Sequence, residues 1–151
     1  MYTNNGPSSH PAFSLADGVA RSTADLALLL GRFLLALVFL LTAYHGNPTA
    51  GTLANLGVPS PDLLSIVARA CEFAFSIALI LGVATRYGAL LGIVYVIIAT
   101  ALAHLWWNYP QAQQVANYTN FMKNVAIIGG LLTLFAMGAG RISIDQLLAR
   151  K

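Results

Sequence analysis

The sequence predicts an all-α integral membrane protein, a four-helix bundle with its N- and C-termini in the cytoplasm. Composition is the first reason: of the 151 residues, 58% are hydrophobic and only 9% are charged, whereas a soluble domain has about 25% charged residues. So few charges cannot cover the surface of a globular domain, and lipid must therefore cover much of it. The lengths of four apolar segments and the distribution of the basic residues are the second and third reasons.

The four apolar segments cover about residues 26–44, 63–84, 87–107 and 120–139. Each has roughly 20 residues, and at about 1.5 Å per residue such a helix crosses a hydrocarbon core of about 30 Å. Membrane-spanning strands would be about ten residues long with alternating hydrophobicity. We therefore predict that residues 25–140 form one domain of four transmembrane helices.

Polar segments separate these spans. Residues 45–62 contain three prolines and three glycines and are predicted to form a loop, as is the polar segment 108–119. The short link "TRYG" at 85–88 makes the second and third helices antiparallel neighbours. Residues 1–24 lack the apolar core of a signal peptide. We predict a disordered or interfacial tail there, with a short helix over residues 13–19.

The basic residues outside the spans indicate which side of the membrane each segment faces. The N-terminal tail, the 85–88 link and the C-terminal tail, residues 141–151, must lie on one side. The loops 45–62 and 108–119 hold no Lys or Arg, whereas the other side holds five basic residues: Arg21, Arg86, Arg141, Arg150 and Lys151. Since cytoplasmic segments carry the excess of Lys and Arg, both tails of this multi-pass membrane protein are predicted to be cytoplasmic.

Four aromatic residues then fall near the opposite, outer surface of the membrane. They are Trp106, Trp107, Tyr109 and Tyr118. Amphipathic rings favour the membrane–water interface, so we interpret these residues as an aromatic belt. The alternative interpretation is a platform on which a ligand stacks.

Several kinds of chemistry are not indicated. The single cysteine, Cys71, lies within an apolar segment, so this chain cannot form an internal disulfide or a dithiol pair. No basic run with interleaved aromatic residues suggests nucleic-acid binding, and the sequence contains no metal-binding motif. We therefore expect no nucleic-acid partner, no metal site and no intrinsic cofactor, while the lipid bilayer is the first expected partner.

The second span carries a stripe of polar residues. Ser65, Arg69, Glu72 and Ser76 are spaced by four, three and four residues, so they lie on one helix face. Polar stripes in membrane helices face the bundle interior rather than lipid. Counted from the start of the span, Glu72 lies about 13 Å deep, close to the midplane.

Arg32 enters the first span from the other side. An unpaired charge near the bilayer centre costs at least about 2.5–3.5 kcal/mol, so pairing is expected, and Arg32 is placed to meet Glu72 near the midplane. Alternatively, Arg32 and Arg69 extend their side chains to the two membrane surfaces. The short side chain of Glu72 excludes that alternative for the carboxylate.

The third and fourth spans add His104, Lys123 and Asn124 near the outer surface. Taken alone, His104 is a hydrogen-bonded interfacial histidine and Lys123 an interfacial anchor. If the polar faces converge, however, the interior holds more positive than negative charge, which a low-dielectric site does not tolerate uncompensated. An oxyanion, a quinol, a lipid headgroup or a partner's carboxylate would compensate it.

Four motifs resemble the DoxX family of small bacterial membrane proteins. They are "LLLGRFLLALVFL" in the first span, "ARACEFAFSIALILGVATRYGA" in the second, "NFMKNVAIIGGLLTL" in the fourth and "GAGRISID" after it. The resemblance implies a four-helix bundle that spans a bacterial inner (plasma) membrane and, loosely, a role beside quinone-linked or stress-related redox enzymes. By position, its matching residues are Arg32, Glu72, Lys123 and Asn124.

Three functions remain open from the sequence. The first is a membrane subunit of a quinone-linked oxidoreductase complex, in which Glu72 or His104 relays protons while Arg32, Arg69, Lys123 and Asn124 bind quinone or a small anion. The second is a small oligomeric transporter for an anionic solute. The third is an assembly subunit whose charges are structural. The chain has no evident redox centre, which favours a protein partner under the first and third functions. Four short helices are few for transport, so the second function requires a homo-oligomer.

Overall fold

The computed structural model describes residues 11–45 and 48–149, with only the backbone described for residues 11–17 and 21. The helices in this part are α1 (Pro11–Tyr44), α2 (Ala50–Asn55), α3 (Pro61–Leu81), α4 (Thr85–Ala103), α5 (Gln111–Met137) and α6 (Ile144–Leu148), with a short 3-10 turn at Trp106–Asn108. Four stretches are long and apolar enough to cross a membrane: Ser22–Tyr44, Pro61–Leu81, Thr85–Asn108 and Gln111–Met137. The predicted all-α fold with four membrane spans is thus confirmed.

The first helix begins well before its apolar span. α1 starts at Pro11, and proline suits the first helical position because its missing N–H is not needed there. The helix therefore covers the short helix that was predicted over residues 13–19 and continues into the span without a break. Residues 1–10 of the predicted tail lie outside the described residues.

Two segments predicted as loops contain helix, which corrects the predicted boundaries. In the segment 45–62, Thr49 Oγ1 accepts a hydrogen bond from the Thr52 backbone N–H at 3.0 Å and caps the six-residue α2. In the segment 108–119, the helix begins at Gln111, directly after Pro110. Polarity misled the prediction here, because a polar sequence can continue a helix beyond the apolar span.

The four spanning helices form two closely packed pairs, α1 with α3 and α4 with α5. The pairs meet at a core that includes Phe39, Phe75, Leu79 and Leu131. The rings of Phe39 and Phe75 contact edge to face, with centroids 4.7 Å apart. α1 touches α5 far less than it touches α3, so the bundle is tight within each pair and looser between pairs.

The two ends of the bundle differ. At one end, which we call the α2 end, α2 follows α1 in the chain and packs against α3. At the other, the C-tail end, residues 138–148 fold back onto the turn between α3 and α4, and the Asp145 backbone N–H donates to the Gly82 carbonyl at 2.9 Å. Gly82 has a φ of +66°, and a Cβ there would collide with Arg32 and Ser143. The sequence predicts that the C-tail end is cytoplasmic.

Candidate functional site

A cavity of about 430 Å³ lies between the two helix pairs toward the α2 end. Its wall is mostly apolar and comes from α1, α3, α4 and α5, with residues of α2 over one side. The polar groups of the spanning helices that line it are Thr42, Glu72, Tyr95, His104 and Asn124. Predominantly apolar walls with a few placed polar groups are typical of small-molecule sites.

Glu72 is the acidic group of this cavity and is only 4% exposed. Its Oε1 accepts a hydrogen bond from the Tyr95 hydroxyl at 2.7 Å and a longer one from Thr42 Oγ1 at 3.4 Å. Its Oε2 is buried and has no hydrogen-bond partner among the described residues. A buried polar atom without a partner costs about 1–3 kcal/mol. This oxygen is therefore the group at which a ligand would gain most.

Helical periodicity explains why Glu72 faces inward. Ser65, Glu72 and Ser76 are all buried, and so is Phe75 on the adjoining face. The predicted inward stripe is thus confirmed for these three polar residues. Arg69 departs from it: it is half-buried, its Nε donates to the carbonyl of Ser65 at 3.3 Å, and it does not line the cavity.

Arg32 does not pair with Glu72, which corrects that prediction. The side chain is 1% exposed, and it lies at the C-tail end. Its Nη1 donates to the Leu79 carbonyl at 3.3 Å and its Nη2 to the Ile142 carbonyl. Leu79 lies two turns beyond Glu72, about 10 Å further along the helix. The last carbonyls of a helix lack partners within it, so the guanidinium caps α3 and ties the C-terminal segment to it.

Asp145 completes this junction, and the sequence reasoning overlooked it. Its Oδ1 and Oδ2 accept hydrogen bonds from the backbone N–H groups of Ala84 at 2.7 Å and Thr85 at 3.1 Å. Burial acts to raise the pKa of Asp145, but these hydrogen bonds and the charge of Arg32 outweigh it and hold the pKa below its ordinary value. The "GAGRISID" motif therefore has a structural purpose, since its aspartate caps α4.

The remaining predicted site residues divide between the cavity and the surface. His104 lines the cavity, with Nδ1 3.3 Å from Asn117 Oδ1. Asn124 also lines it and donates from Nδ2 to Thr100 Oγ1 at 2.8 Å. Lys123 is exposed on α5 and is not part of the wall. The cavity thus brings together Glu72, His104 and Asn124, without the three predicted cations.

The sequence reasoning missed Tyr95 and Thr42, the two hydrogen-bond donors to Glu72. Both lie in apolar spans, where tyrosine counts as an apolar residue and the hydroxyl of an isolated threonine bonds a backbone carbonyl of its own helix. The single hydroxyl proton of Thr42 is shared between the Phe39 carbonyl at 2.8 Å and Glu72 Oε1 at 3.4 Å, and the shorter bond to its own helix is the stronger one. A buried carboxyl needs a hydrogen-bond donor. This requirement could have directed the search to donors such as Thr42 and Tyr95 on the facing helices.

The aromatic residues near Trp106 cluster at the α2 end. Trp106 contacts Tyr118 edge to face with ring centroids 5.7 Å apart, and Trp107 contacts Phe121 at 6.0 Å. The Tyr109 hydroxyl donates to the Ala103 carbonyl at 2.9 Å. These rings lie just beyond the end of α4, the level at which the sequence predicts an aromatic belt.

No group of three or more His, Cys, Asp or Glu side chains that could hold a metal ion occurs within residues 11–45 and 48–149. The polar groups of the cavity are one carboxyl, one phenol, one imidazole, an amide and hydroxyls. Such a set can donate and accept hydrogen bonds and exchange protons with a bound molecule.

Fold and site together define a class: a four-span helical membrane protein, closed at one end by its C-terminal segment and holding a carboxyl-lined cavity toward the other. The family model described as DoxX matches residues 27–105, more than half of the chain. The chain belongs to the DoxX family, as its motifs indicated.

Relatives of similar length agree with this assignment. Inner membrane protein YphA of Escherichia coli K12 is 33% identical over 133 residues, covering 85% of this chain and 93% of the relative. Inner membrane protein YqjF of the same organism is 34% identical over 132 residues, covering 84% and 95%. A Surfeit locus protein 4 homolog of Drosophila melanogaster is 26% identical over 72 residues, covering 46% of this chain and 27% of the relative. No solved structure matches the chain significantly.

With four spans of its own and inner membrane relatives over most of its length, this chain is an integral, multi-pass inner membrane protein. The predicted family and localisation are confirmed.

Proposed function

We propose that this chain binds a quinone or quinol in the cavity and acts as a membrane subunit of a quinone-linked oxidoreductase complex. The observation that carries the proposal is the buried Glu72 carboxyl, whose Oε2 has no hydrogen-bond partner among the described residues and which lines a cavity of about 430 Å³. A ligand with a hydroxyl or carbonyl group would satisfy that carboxyl, in its ionised or its protonated form respectively.

The cavity suits a ring-sized, largely apolar molecule. Its volume lies within the range of about 300–1,000 Å³ that is typical of small-molecule pockets. Glu72, His104 and Asn124 supply donors and acceptors on three different helices, so they can contact more than one polar atom of a ring. Each neutral hydrogen bond contributes about 1 kcal/mol, and those to a charged group about 1.5–3 kcal/mol.

The wall of the cavity continues to the lipid-facing surface. Leu64 on α3 and Ile98 and Leu102 on α4 line the cavity, yet they are 38%, 54% and 46% exposed. An exposed apolar side chain within a membrane span faces lipid. A ligand that enters between α3 and α4 would therefore come from the membrane, which favours a lipid-soluble carrier.

The charge of the wall also favours quinone over a small anion. Its one acidic residue is Glu72, and no Lys or Arg lines it among the described residues. An anionic solute would meet a carboxyl rather than a cation, which costs several kcal/mol in a low-dielectric site. Arg32, Arg69 and Lys123, which the sequence predicts as ligand-binding residues, do not line this cavity and would not contact a ligand bound in it.

A bound quinone supplies two-electron, two-proton redox chemistry. The residues of this chain would hold it and handle the protons: Glu72 Oε2 accepts or donates a proton, while the Tyr95 hydroxyl fixes the other carboxyl oxygen. His104, at the α2 end of the same wall, is the second proton-carrying group. The electrons would come from a partner subunit that carries a redox centre.

Quinone titration of the purified protein tests the proposal. We expect a short-chain quinone to bind the wild type, and Glu72→Gln to weaken binding by at least about tenfold, since a hydrogen bond to a charged group contributes about 1.5–3 kcal/mol. Asp62→Asn is the matched control, because Asp62 is exposed at the start of α3 and does not line the cavity.

Co-purification from native membranes in mild detergent tests the complex. Under the proposal, quinone and a redox subunit accompany the chain. The proposal would be contradicted if the wild type bound no quinone, or if Glu72→Gln bound quinone as tightly as the wild type. The assembly function would then be favoured if partner subunits still co-purify.

A further inference from the structure

A second cavity, a groove of about 480 Å³, lies at the C-tail end of the bundle. It is bounded by the start of α4, the end of α5 and residues 138–146. Unlike the quinone cavity, it is lined by two arginines, Arg86 and Arg141. Neither belongs to the residues proposed to bind quinone, so the two sites are independent.

Among the described residues, Arg86 is held in place through one of its nitrogens. Its Nη1 donates to the Phe135 carbonyl at 2.9 Å near the end of α5. The same guanidinium lies over Gly138, where its Nε and Nη2 would both be 3.5 Å from a Cβ added to that glycine. The backbone of Gly138 has a φ of +79°, which favours glycine. Arg86 is thereby positioned while its other N–H groups stay available to a ligand.

Arg141 is anchored through its backbone, while its side chain is exposed. Its backbone N–H donates to Asp25 Oδ1 at 2.8 Å. Its guanidinium Nε is 3.9 Å from Asp25 Oδ2, and the arginine side chain is 75% exposed. Exposed ion pairs of such length contribute little. The guanidinium can therefore leave Asp25 for an anion that binds it more tightly, with little loss of stabilising energy.

The one acidic residue lining the groove does not compete for that anion. Both carboxylate oxygens of Asp145 accept backbone N–H groups of α4, and Arg32 lies close enough to act on its charge. Since Arg32 offsets Asp145 and Asp25 lies beside Arg141, the groove keeps a net positive charge that comes from Arg86. An anion with several oxygens could accept from both guanidinium groups, as phosphate commonly does.

The position along the bundle suits the headgroup region of a membrane. Two of the spans begin or end at the groove, at Thr85 and Met137. Beside it, apolar and aromatic side chains outside or at the edge of the spans are exposed: Tyr87 is 78%, Ile142 50% and Leu147 63% exposed. Such residues are stable at the level where lipid headgroups lie.

We infer that Arg86 and Arg141 form a binding site for a phosphate group, supplied by an anionic lipid headgroup or by free phosphate. Basic pockets between transmembrane helices bind anionic headgroups in this way. The site goes beyond the proposed quinone function and does not depend on it.

Native mass spectrometry of the detergent-purified chain tests the inference and identifies the source. Separate samples receive phosphatidylglycerol, phosphatidylcholine or inorganic phosphate. A lipid-headgroup site retains phosphatidylglycerol at least about fivefold better than phosphatidylcholine, and Arg86→Gln and Arg141→Gln each weaken it by about fivefold. A free-phosphate site binds inorganic phosphate, with the same dependence on both arginines.

Lys123→Gln is the control, because it removes one positive charge from an exposed position on α5 outside the groove. Arg141→Gln keeps the test decisive if Arg86→Gln fails to fold, since the Arg141 side chain makes only an exposed ion pair. Equal retention of the two lipids together with no binding of inorganic phosphate would overturn the inference. Binding that is insensitive to Arg141→Gln would overturn it as well.

Discussion

Replacing Arg32 by methionine should destabilise the bundle at its C-tail end. The methionine keeps an unbranched chain of similar reach but loses the two hydrogen bonds from the guanidinium to the carbonyls of Leu79 and Ile142. Hydrogen bonds to charged groups contribute about 1.5–3 kcal/mol each. Relief from burying the charge offsets part of that loss. We expect a net decrease of about 2–4 kcal/mol in the free energy of unfolding.

Unfolding in mixed micelles with increasing dodecyl sulfate measures this change, and hydrogen exchange locates it. Residues 138–148 should lose protection first, because Arg32 ties this segment to the end of α3. Arg141→Met is the matched control: its ion pair is exposed, so the loss should stay below about 1 kcal/mol. Equal stability of Arg32→Met and wild type, with unchanged protection of this segment, would refute the capping role.

Three further predictions follow from the same contacts. The pKa of Asp145 is lowered in the folded protein, so its carboxylate stabilises the fold fully above the unfolded pKa of about 3.9, and this stabilisation disappears as the pH falls through the lower folded pKa. On acidification, residues 138–148 of the wild type should therefore lose protection from hydrogen exchange. Asp145→Asn should show less pH dependence in the same measurement. Gly82→Ala should lower the free energy of unfolding by about 1–3 kcal/mol, because of its φ of +66° and the clash of the new Cβ with Arg32. An unchanged free energy of unfolding would argue against close packing there. Tyr95→Phe removes the hydrogen bond to Glu72 Oε1 and should alter the pH dependence of quinone binding; an identical pH profile would separate Tyr95 from the site.

The two ends of the bundle divide the charged groups between two tasks. At the C-tail end, Arg32 and Asp145 satisfy the free backbone groups of α3 and α4 and join the C-terminal segment to the bundle. Toward the α2 end, the helix pairs separate around a cavity, and Glu72 keeps one oxygen without a partner among the described residues. The contacts at the C-tail end stabilise the bundle and so offset the cost of a Glu72 oxygen without a hydrogen-bond partner toward the α2 end. Binding sites are usually held on a rigid scaffold in this way.

The four spans and the inward position of Glu72 could be predicted from the sequence, because the first depends on the lengths of the apolar segments and the second on the helical spacing of the polar residues. Sequence reasoning could not find the partner of Arg32, since backbone carbonyls such as that of Ile142 leave no signal in the side-chain pattern. It left open whether Lys123 and Arg69 lie in the interior or at the membrane surface, and the structure leaves Lys123 exposed and Arg69 half-buried, both outside the cavity. Charge type alone does not decide which helix face a long, flexible side chain follows.

Photolabelling with an azido-quinone, followed by peptide mapping, tests the central proposal most directly. We expect the label to fall on the cavity walls formed by α3 and α4, around Glu72 and between Tyr95 and His104. Labelling there should decrease in Glu72→Gln and stay unchanged in Asp62→Asn. Labelling spread over the lipid-facing residues of all four spans, equal in both variants and wild type, would contradict a quinone site in this cavity.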